Sequence, residues 1–266
     1  QLGSVGTGNL IPELLELGCP VTRLEQQYRQ SDNESALFYN VTNFPKLFDS
    51  EELKFDDSFT LIPASEGDIF KVIQEEAVKR HLAGENVQVI ATTRADVKKL
   101  NETLQQVVNP PAEGKAEVTH NGITVRENDR TMILKNNREE RCFNGDIGTA
   151  HVEPMEGGSA FIHIPLSANR QPKFFSAKIG STLALAYALT VHKSQGSQYD
   201  TVIMPASTDC QKMLRRNLFY TAISRAKKQV ILVGSKEALH IAMVTPPEPR
   251  KSMLVIKTHQ KMHFAA

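Results

Sequence analysis

The chain has 266 residues, of which 40% are hydrophobic and 23% charged, and its formal net charge is only +1. This length and composition are typical of one large or two modest globular domains, and we expect a cytoplasmic protein. No apolar run approaches the roughly 20 residues of a membrane helix. The three cysteines, Cys19, Cys142 and Cys210, lack the paired spacing of a zinc site or a disulfide framework.

The first half of the chain alternates predicted helices and strands. A short helix over 11–17 ends at Gly18, a brief strand follows at 21–24, and a longer helix runs from the capping sequence at 65–68 to Leu82. An apolar strand at 87–91 precedes a helix whose apolar residues recur in steps of three and four until two prolines end it. This alternation favours a parallel sheet covered by helices.

Between about 120 and 178 the pattern changes to short β-rich stretches separated by Asn-Gly, Gly-Gly and Pro turns. These stretches lie at 131–134, 147–152, 160–164 and 173–177. They predict a small barrel or meander inserted into the α/β part. The alternation then resumes, with strands predicted at 183–190, 201–205 and 229–233 and helices at 213–227 and 236–243.

The turn at 190–196 combines hydroxyl, imidazole and amide groups directly after a predicted strand. Thr190, His192 and Ser194 are therefore expected at the carboxyl edge of the sheet, where open α/β sheets bind ligands. Gly196 would let the backbone approach such a ligand closely. The alternative is an ordinary turn with polar residues.

A basic helix candidate follows, with six basic residues and no acid between 212 and 228. Arg225 lies near its end, between two apolar stretches. A guanidinium held there could neutralise charge on a transferred phosphoryl group, and the planar fork of arginine makes two directed bonds that lysine cannot make. The alternative is an ion pair between Arg225 and a surface acid.

Three further segments carry candidate site residues. Thr92, Thr93 and Arg94 lie where a strand ends and a helix begins, an arrangement that can hold phosphate or simply cap the helix. Gln1 could contact a nucleotide, and Arg29 could reach a phosphate or lie on the surface. The glycine-rich stretch at 1–8 lacks the Gly-Lys-Ser/Thr sequence of a phosphate-binding P-loop.

These motifs, in this order, resemble those of superfamily 1 helicases, and most closely the RecD-like DNA helicases. That family includes the alpha subunit of exonuclease V and the helicase part of conjugative relaxases. The resemblance spans about 1–239 and is most specific at 185–196 and 217–234. It implies an α/β fold, with a RecA-like parallel-sheet motor domain and an inserted small β-barrel.

The resemblance also implies roles for single residues. Residues 1–6 resemble the end of motif III, in which Gln1 would link nucleotide state to DNA grip, and 27–30 resemble motif IV, in which Arg29 would contact the γ-phosphate. Residues 190–196 resemble motif V, and Arg225 matches the arginine finger of motif VI. Gln1, Arg29 and Arg225 are thus the expected catalytic residues.

Both ligands of such an enzyme have implied contacts. The implied cofactors are ATP and Mg²⁺, with nucleotide contacts from Arg29, Arg225, Gly196 and Gln198. The implied contacts to single-stranded DNA are Thr92, Thr93, Arg94, Thr190, His192 and Ser194. Gln198 stands where many relatives carry a ribose-binding glutamate, and an amide can still bond a hydroxyl. The P-loop lysine and the Mg²⁺-holding acids are expected before Gln1, so we expect no ATP hydrolysis by this chain alone.

The resemblance predicts that the chain is the C-terminal part of an ATP-dependent helicase that moves 5′-to-3′ on single-stranded DNA and unwinds duplex DNA, in repair or recombination or as the alpha subunit of exonuclease V. Nuclease or helicase subunits are its expected partners. Arg29 and Arg225 should face one open cleft. The alternatives are a non-catalytic DNA-binding or assembly module and the helicase part of a relaxase. The expected divisions are the end of a first motor domain (1–20), a second motor domain (21–143 and 183–244), the inserted barrel (144–182) and a tail (245–266).

Overall fold

The computed structural model describes residues 10–22, 30, 32–209 and 214–248. Its helices are α1 (Leu10–Glu16), α2 (Ala36–Asn43), α3 (Ile69–Leu82), α4 (Arg94–Val108), α5 (Arg216–Ile223) and α6 (Lys236–Val244). Its strands are β1 (Phe59–Pro63), β2 (Val87–Ala91), β3 (Glu117–His120), β4 (Ile123–Arg126), β5 (Arg130–Ile133), β6 (Ile147–Thr149), β7 (His151–Pro154), β8 (Ala160–His163), β9 (Lys173–Phe175), β10 (Leu183–Leu185), β11 (Ala188–Thr190), β12 (Tyr199–Ala206) and β13 (Ala226–Gly234). Within these ranges no helix is long and apolar enough to cross a membrane.

A five-stranded parallel sheet with the order β1-β13-β12-β2-β11 forms the centre of the fold. Strands β12 and β13 contain the apolar runs Val202–Met204 and Val230–Val233, and Gln88 alone interrupts the apolar β2, as expected for strands that are covered on both faces. Helices α3 and α4 cover one face, while α2, α5 and α6 cover the other. The predicted α/β class with a parallel sheet is therefore confirmed.

Alternation along β13 supplies both cores of this layered domain. Leu232 packs in the core with Phe59 and Phe219, whereas the preceding residue, Ile231, packs on the opposite face with Ile73. Successive side chains of a strand point to opposite faces, so one apolar strand can serve two helical layers. Gly234 ends this strand with a φ of +143°, and a Cβ there would lie 2.0 Å from the Ala206 carbonyl oxygen.

A β-rich insertion lies between α4 and β11. It comprises the β3–β4 hairpin, a sheet with the order β10-β5-β6 and a sheet with the order β7-β8-β9, around its own core of Val125, Ile133, Ile162 and Phe174. Its strands occupy 117–185, a longer stretch than the 144–182 expected from the sequence. The assignment of this stretch and of the other ranges as separate domains stays a proposal.

A network around Asp129 joins the insertion to α4. Its fully buried carboxylate accepts hydrogen bonds from the side-chain amides of Gln105 and Asn109, from the Arg126 backbone N–H and, at 2.8 Å, from the Tyr187 hydroxyl. Burial and the neighbouring Asp129 charge raise the pKa of Tyr187, so this hydroxyl remains a donor. The insertion is thus held to α4 by donors from three segments.

Several predicted elements need correction. The strand expected at 183–190 is two strands, because β10 pairs with β5 of the insertion and β11 pairs with β2 of the central sheet. The helix expected at 213–227 ends at Ile223, since the backbone of Ala226 already enters β13. Helix α2 and strand β1 were not predicted. The strand expected at 21–24 lies partly outside the described residues, and Val21 and Thr22 are not in a strand.

Candidate functional site

A groove opens where β2 and β11 end side by side. Thr190 is in register with Ala91, and the Val191 N–H donates to the Ala91 carbonyl at 3.2 Å. The groove has a volume of about 1410 Å³ and lies between the central sheet, α4 and the insertion. Its polar lining includes Thr92, Thr93, Arg94, Lys98, Asn101, Asn121, Thr124, Thr190, His192 and Lys193. Five of the six DNA contacts expected from the sequence therefore share one surface.

Thr93 positions the start of α4 at this groove. Its hydroxyl oxygen accepts from the Asp96 N–H at 3.0 Å, which makes Thr93 the N-cap, and the hydroxyl also bonds the Asp96 carboxylate at 2.6 Å. Thr92 lines the groove although it is only 7% exposed. Helix capping and a contact with the groove's occupant are compatible, because free backbone N–H groups at a helix start attract anions.

Two cations meet in the groove. Although Lys193 is exposed by surface area, neighbouring groups partly remove its amine from water, and this desolvation together with the positive charge of Arg94 lowers the pKa of Lys193. Both side chains line the same wall, so the groove favours an anionic occupant. The sequence reasoning did not single out Lys193, although it lies inside the 190–196 turn.

Ser194 is the expected DNA contact that the structure does not bring into the groove wall. Its side chain is fully buried, and its hydroxyl donates to the Val191 carbonyl at 2.8 Å. Its N–H donates to the Thr190 carbonyl at 3.1 Å, so the chain makes a helical turn that directs Ser194 inward. Its observed role is to hold the turn that presents Thr190 and His192.

The other end of this turn reaches the opposite edge of the sheet, where the parallel strands begin, which we call the amino edge. Gln198 is exposed just before β12, and Arg225 lies just before β13. The Tyr199 N–H donates to the Arg225 carbonyl at 3.1 Å, which ties these two segments together. Gly196 adopts a φ of +86° within the turn, a conformation that favours glycine. Residues 191–198 therefore connect the groove with the amino edge of the sheet.

The Arg225 side chain lies closer to the interior than the sequence predicted. It is only 5% exposed, its Nε donates to the Thr221 carbonyl at 3.1 Å, and one terminal nitrogen donates to the Ser224 hydroxyl at 3.1 Å. The expectation of a guanidinium in an open cleft is wrong for this structure, because the end of α5 holds the group. Gln1 and Arg29 lie outside the described residues.

The segment that follows Arg29 in the chain contacts the same edge. Gln30 is buried, and its side-chain amide donates to the Ala226 carbonyl at 2.8 Å. The start of β13 is therefore contacted from two sides, by Gln30 and, through the adjacent Arg225 carbonyl, by Tyr199. The amino edge is built from segments that are far apart in the sequence.

The layered parallel sheet with a β-rich insertion defines a RecA-like helicase motor fold. The solved structure of the Pif1 helicase from Candida albicans matches over 91% of this chain and 60% of its own length, with a TM-score of 0.51 and 12% identity. This likeness concerns the fold alone. Two family models match parts of the sequence: a UvrD-like helicase C-terminal domain at residues 185–233 and an ATP-dependent RecD-like DNA helicase SH3 domain at residues 100–157.

Sequence comparison with known proteins indicates which kind of helicase the chain resembles. The chain is 32% identical over 186 residues to the ATP-dependent RecD2 DNA helicase of Deinococcus radiodurans, covering 68% of this chain and 25% of that protein. It is 30% identical over 112 residues to the RecBCD enzyme subunit RecD of Mycobacterium tuberculosis, covering 42% of this chain and 19% of the relative. The chain belongs to the RecD-like superfamily 1 helicases. It spans about a quarter or less of the length of these relatives.

Proposed function

We propose that this chain forms the second motor domain, with its β-rich insertion, of an ATP-dependent DNA helicase that moves along single-stranded DNA. The observation that carries the proposal is the groove at the carboxyl edge, where Thr93, Arg94, Thr190, His192 and Lys193 share one surface. Hydroxyls, cations and a helix start are the groups that proteins use to bind nucleic-acid phosphates.

The groove's composition favours contact with the DNA backbone over recognition of bases. The described residues that line it include no Phe or Tyr, so His192 supplies the one aromatic ring among them on which a base could stack. Its apolar lining comes from aliphatic side chains of both the central domain and the insertion, among them Val97, Ile123, Leu134 and Leu189. Binding should therefore tolerate any base sequence and weaken as salt rises.

ATP, with Mg²⁺, would act at the opposite edge. In this proposal Gly196 and Gln198 contact the nucleotide, Arg29 and Arg225 approach its phosphates, and Gln1 senses its state. The 191–198 turn supports this division of roles, because it is the covalent link between the groove and the amino edge. Closing a nucleotide cleft against a P-loop domain would move the turn, and with it the DNA contacts. The proposed direction is 5′-to-3′, and the proposed settings are repair and recombination, with nuclease or helicase subunits as partners.

Binding of fluorescent oligothymidine to this chain tests the DNA part of the proposal. Anisotropy at several salt concentrations should show saturable binding whose affinity falls steeply with salt, by about 0.7 in log–log slope for each phosphate neutralised. Equal affinity for DNA and for an uncharged analogue of the same length would contradict the proposal. The ATP part requires a protein that joins this chain to a P-loop motor domain, since this chain alone should not hydrolyse ATP.

The burial of Arg225 favours a second candidate, a non-catalytic DNA-binding module. In such a protein Arg225 would only hold the end of α5, through the bonds to Thr221 and Ser224. The longer protein would then bind single-stranded DNA without DNA-stimulated ATP hydrolysis. An ATPase assay with and without oligothymidine distinguishes the two candidates.

A further inference from the structure

A second, smaller cavity lies between the insertion and the amino edge of the central sheet. It has a volume of about 560 Å³, within the range of small-molecule sites. Arg130, at the start of β5, contributes one wall together with residues 145–149, which lead into and form β6 of the insertion. Asn86, Ser197, Gln198 and Tyr199 of the central domain contribute the other wall.

Arg130 brings a positive charge into this cavity, and no acid among the described residues pairs with it. One terminal nitrogen donates to the Gln88 side chain at 3.2 Å, whereas its Nε is buried and has no hydrogen-bond partner among the described residues. Over the same part of the chain, no carboxylate lies within 4.0 Å of its guanidinium. Burial and this positive charge both lower the pKa of His81, which lies on the other side of Arg130.

The nearby acids are bound to other groups. Asp146 lines the cavity, but its carboxylate pairs with Arg170 and accepts from the Phe143 N–H. Glu85 lies on the other side of Arg130, where it pairs with Arg80 at 3.9 Å and accepts from the Thr201 hydroxyl at 3.1 Å. An arginine that is largely removed from water is costly unless an anion compensates it.

A hydroxyl donor stands beside the same charge. The Tyr199 hydroxyl is buried next to the Ser197 side chain, and burial raises the pKa of Tyr199, so the group keeps its proton. Gln198, exposed in the adjacent position, adds an amide. Arg130 on one wall and Ser197 and Gln198 on the other thus line this cavity with a cation, a hydroxyl and an amide.

We propose that Arg130, with Ser197 and Gln198, forms a phosphate-binding site between the insertion and the turn that reaches the amino edge of the sheet. The phosphate is that of a nucleotide or free phosphate. The nucleotide source rests on the proposed function, whereas binding of free phosphate does not. The ligand bridges the insertion and the 191–198 turn, so its binding links the position of the insertion to the state of the amino edge.

Calorimetric titration of this chain with sodium phosphate, pyrophosphate or ADP, at constant ionic strength in chloride, tests the site. We expect saturable phosphate binding that weakens at least about tenfold in Arg130→Gln, because a charge-assisted hydrogen bond is lost. Arg130→Lys should retain more affinity than Arg130→Gln, and the exposed Arg138→Gln of the insertion should bind like the wild type. If Arg130→Gln binds as the wild type does, or the wild type shows no saturable binding, the site does not exist.

Thermal unfolding without phosphate separates a ligand site from a structural role. Removing an uncompensated charge should leave the melting temperature of Arg130→Gln equal to or above that of the wild type. A clearly lower melting temperature, or failure of this variant to fold, would mean that Arg130 serves the fold and would overturn the proposal. If ADP competes with phosphate, the ligand of the site is a nucleotide. If phosphate binds and ADP does not, the ligand is free phosphate.

Oligothymidine binding by the same variant keeps this proposal separate from the proposed function. Arg130 lies away from the groove, so Arg130→Gln should bind DNA as the wild type does. A wild-type chain that binds phosphate but no DNA would contradict the proposed function and leave the phosphate site standing.

Discussion

The two edges of the central sheet present their candidate residues differently. At the carboxyl edge, Arg94, His192 and Lys193 are exposed along an open groove that this chain builds from its own sheet, helix and insertion. At the amino edge, Gln198 is exposed but Arg225 is held inside by the end of α5. The groove, as a proposed surface for a long polymer, can be complete within one chain. The role proposed for Arg225 requires in addition a second protein surface that holds the nucleotide.

The largest expected effect is at the amino edge. In a protein that joins this chain to a P-loop motor domain, Arg225→Ala should lower the ATP turnover rate by about 10³–10⁵-fold, the range seen when arginine fingers are removed. Arg225→Lys should not restore it, since lysine lacks the planar fork. Steady-state ATPase rates give the measurement, and oligothymidine affinity of the same variants is the control, which should not change. Unchanged turnover in Arg225→Ala would favour the non-catalytic module.

A substitution in the Asp129 network, which joins the insertion to α4, tests whether the groove depends on the position of the insertion. Asp129→Asn places an amide donor among the donors that now face the carboxylate, so we expect a loss of about 3 kcal/mol in the free energy of unfolding. Urea unfolding measures this loss, with the exposed Asp57→Asn as the matched control. DNA affinity should fall with stability, because α4 and the insertion both line the groove. Unchanged stability would mean that the network contributes little.

Substitutions in the groove test the proposed DNA contacts one charge at a time. Arg94→Gln and Lys193→Gln should each reduce the salt slope of oligothymidine binding by about 0.7, and together they should weaken binding about tenfold or more. Arg138→Gln removes the same charge from an exposed position outside the groove and should leave the slope unchanged. If the control weakens binding equally, general charge and not the groove attracts DNA.

The smallest expected effect concerns the turn that connects the edges. Gly196→Ala should cost about 1 kcal/mol in stability because alanine is strained at a φ of +86°. Gly84→Ala is the matched control, since Gly84 has a φ of +74° and neither site has an atom within 4 Å of an added Cβ. Both variants should lose similar stability, but only Gly196→Ala should reduce DNA-stimulated ATP hydrolysis in the longer protein. Equal ATPase effects would show that the turn does not couple the two edges.

Local patterns predicted several elements well. The apolar stretch at 87–91 and the stripe after Arg94 are β2 and α4, because strand burial and helical periodicity are properties of neighbouring residues. The same reasoning missed β1, which carries Thr60 and a proline, and it merged β10 with β11. Which sheet a three-residue strand joins depends on partners far away in the sequence, so no local pattern contains that information.

The order of the motifs and the chemistry of their side chains were determined by the sequence alone, and they were sufficient to recognise a RecD-like helicase segment. Only the tertiary structure decided that Thr93, Arg94 and Thr190 share a groove, that Ser194 turns inward and that Arg225 is buried. It also decided that, in the part of the chain that the structure describes, no acid pairs with Arg130. The physical reason is that the exposure of a side chain and the charges around it depend on which groups surround it in the folded protein. They are set by segments such as α4, the insertion and the 191–198 turn, which meet only after the chain has folded.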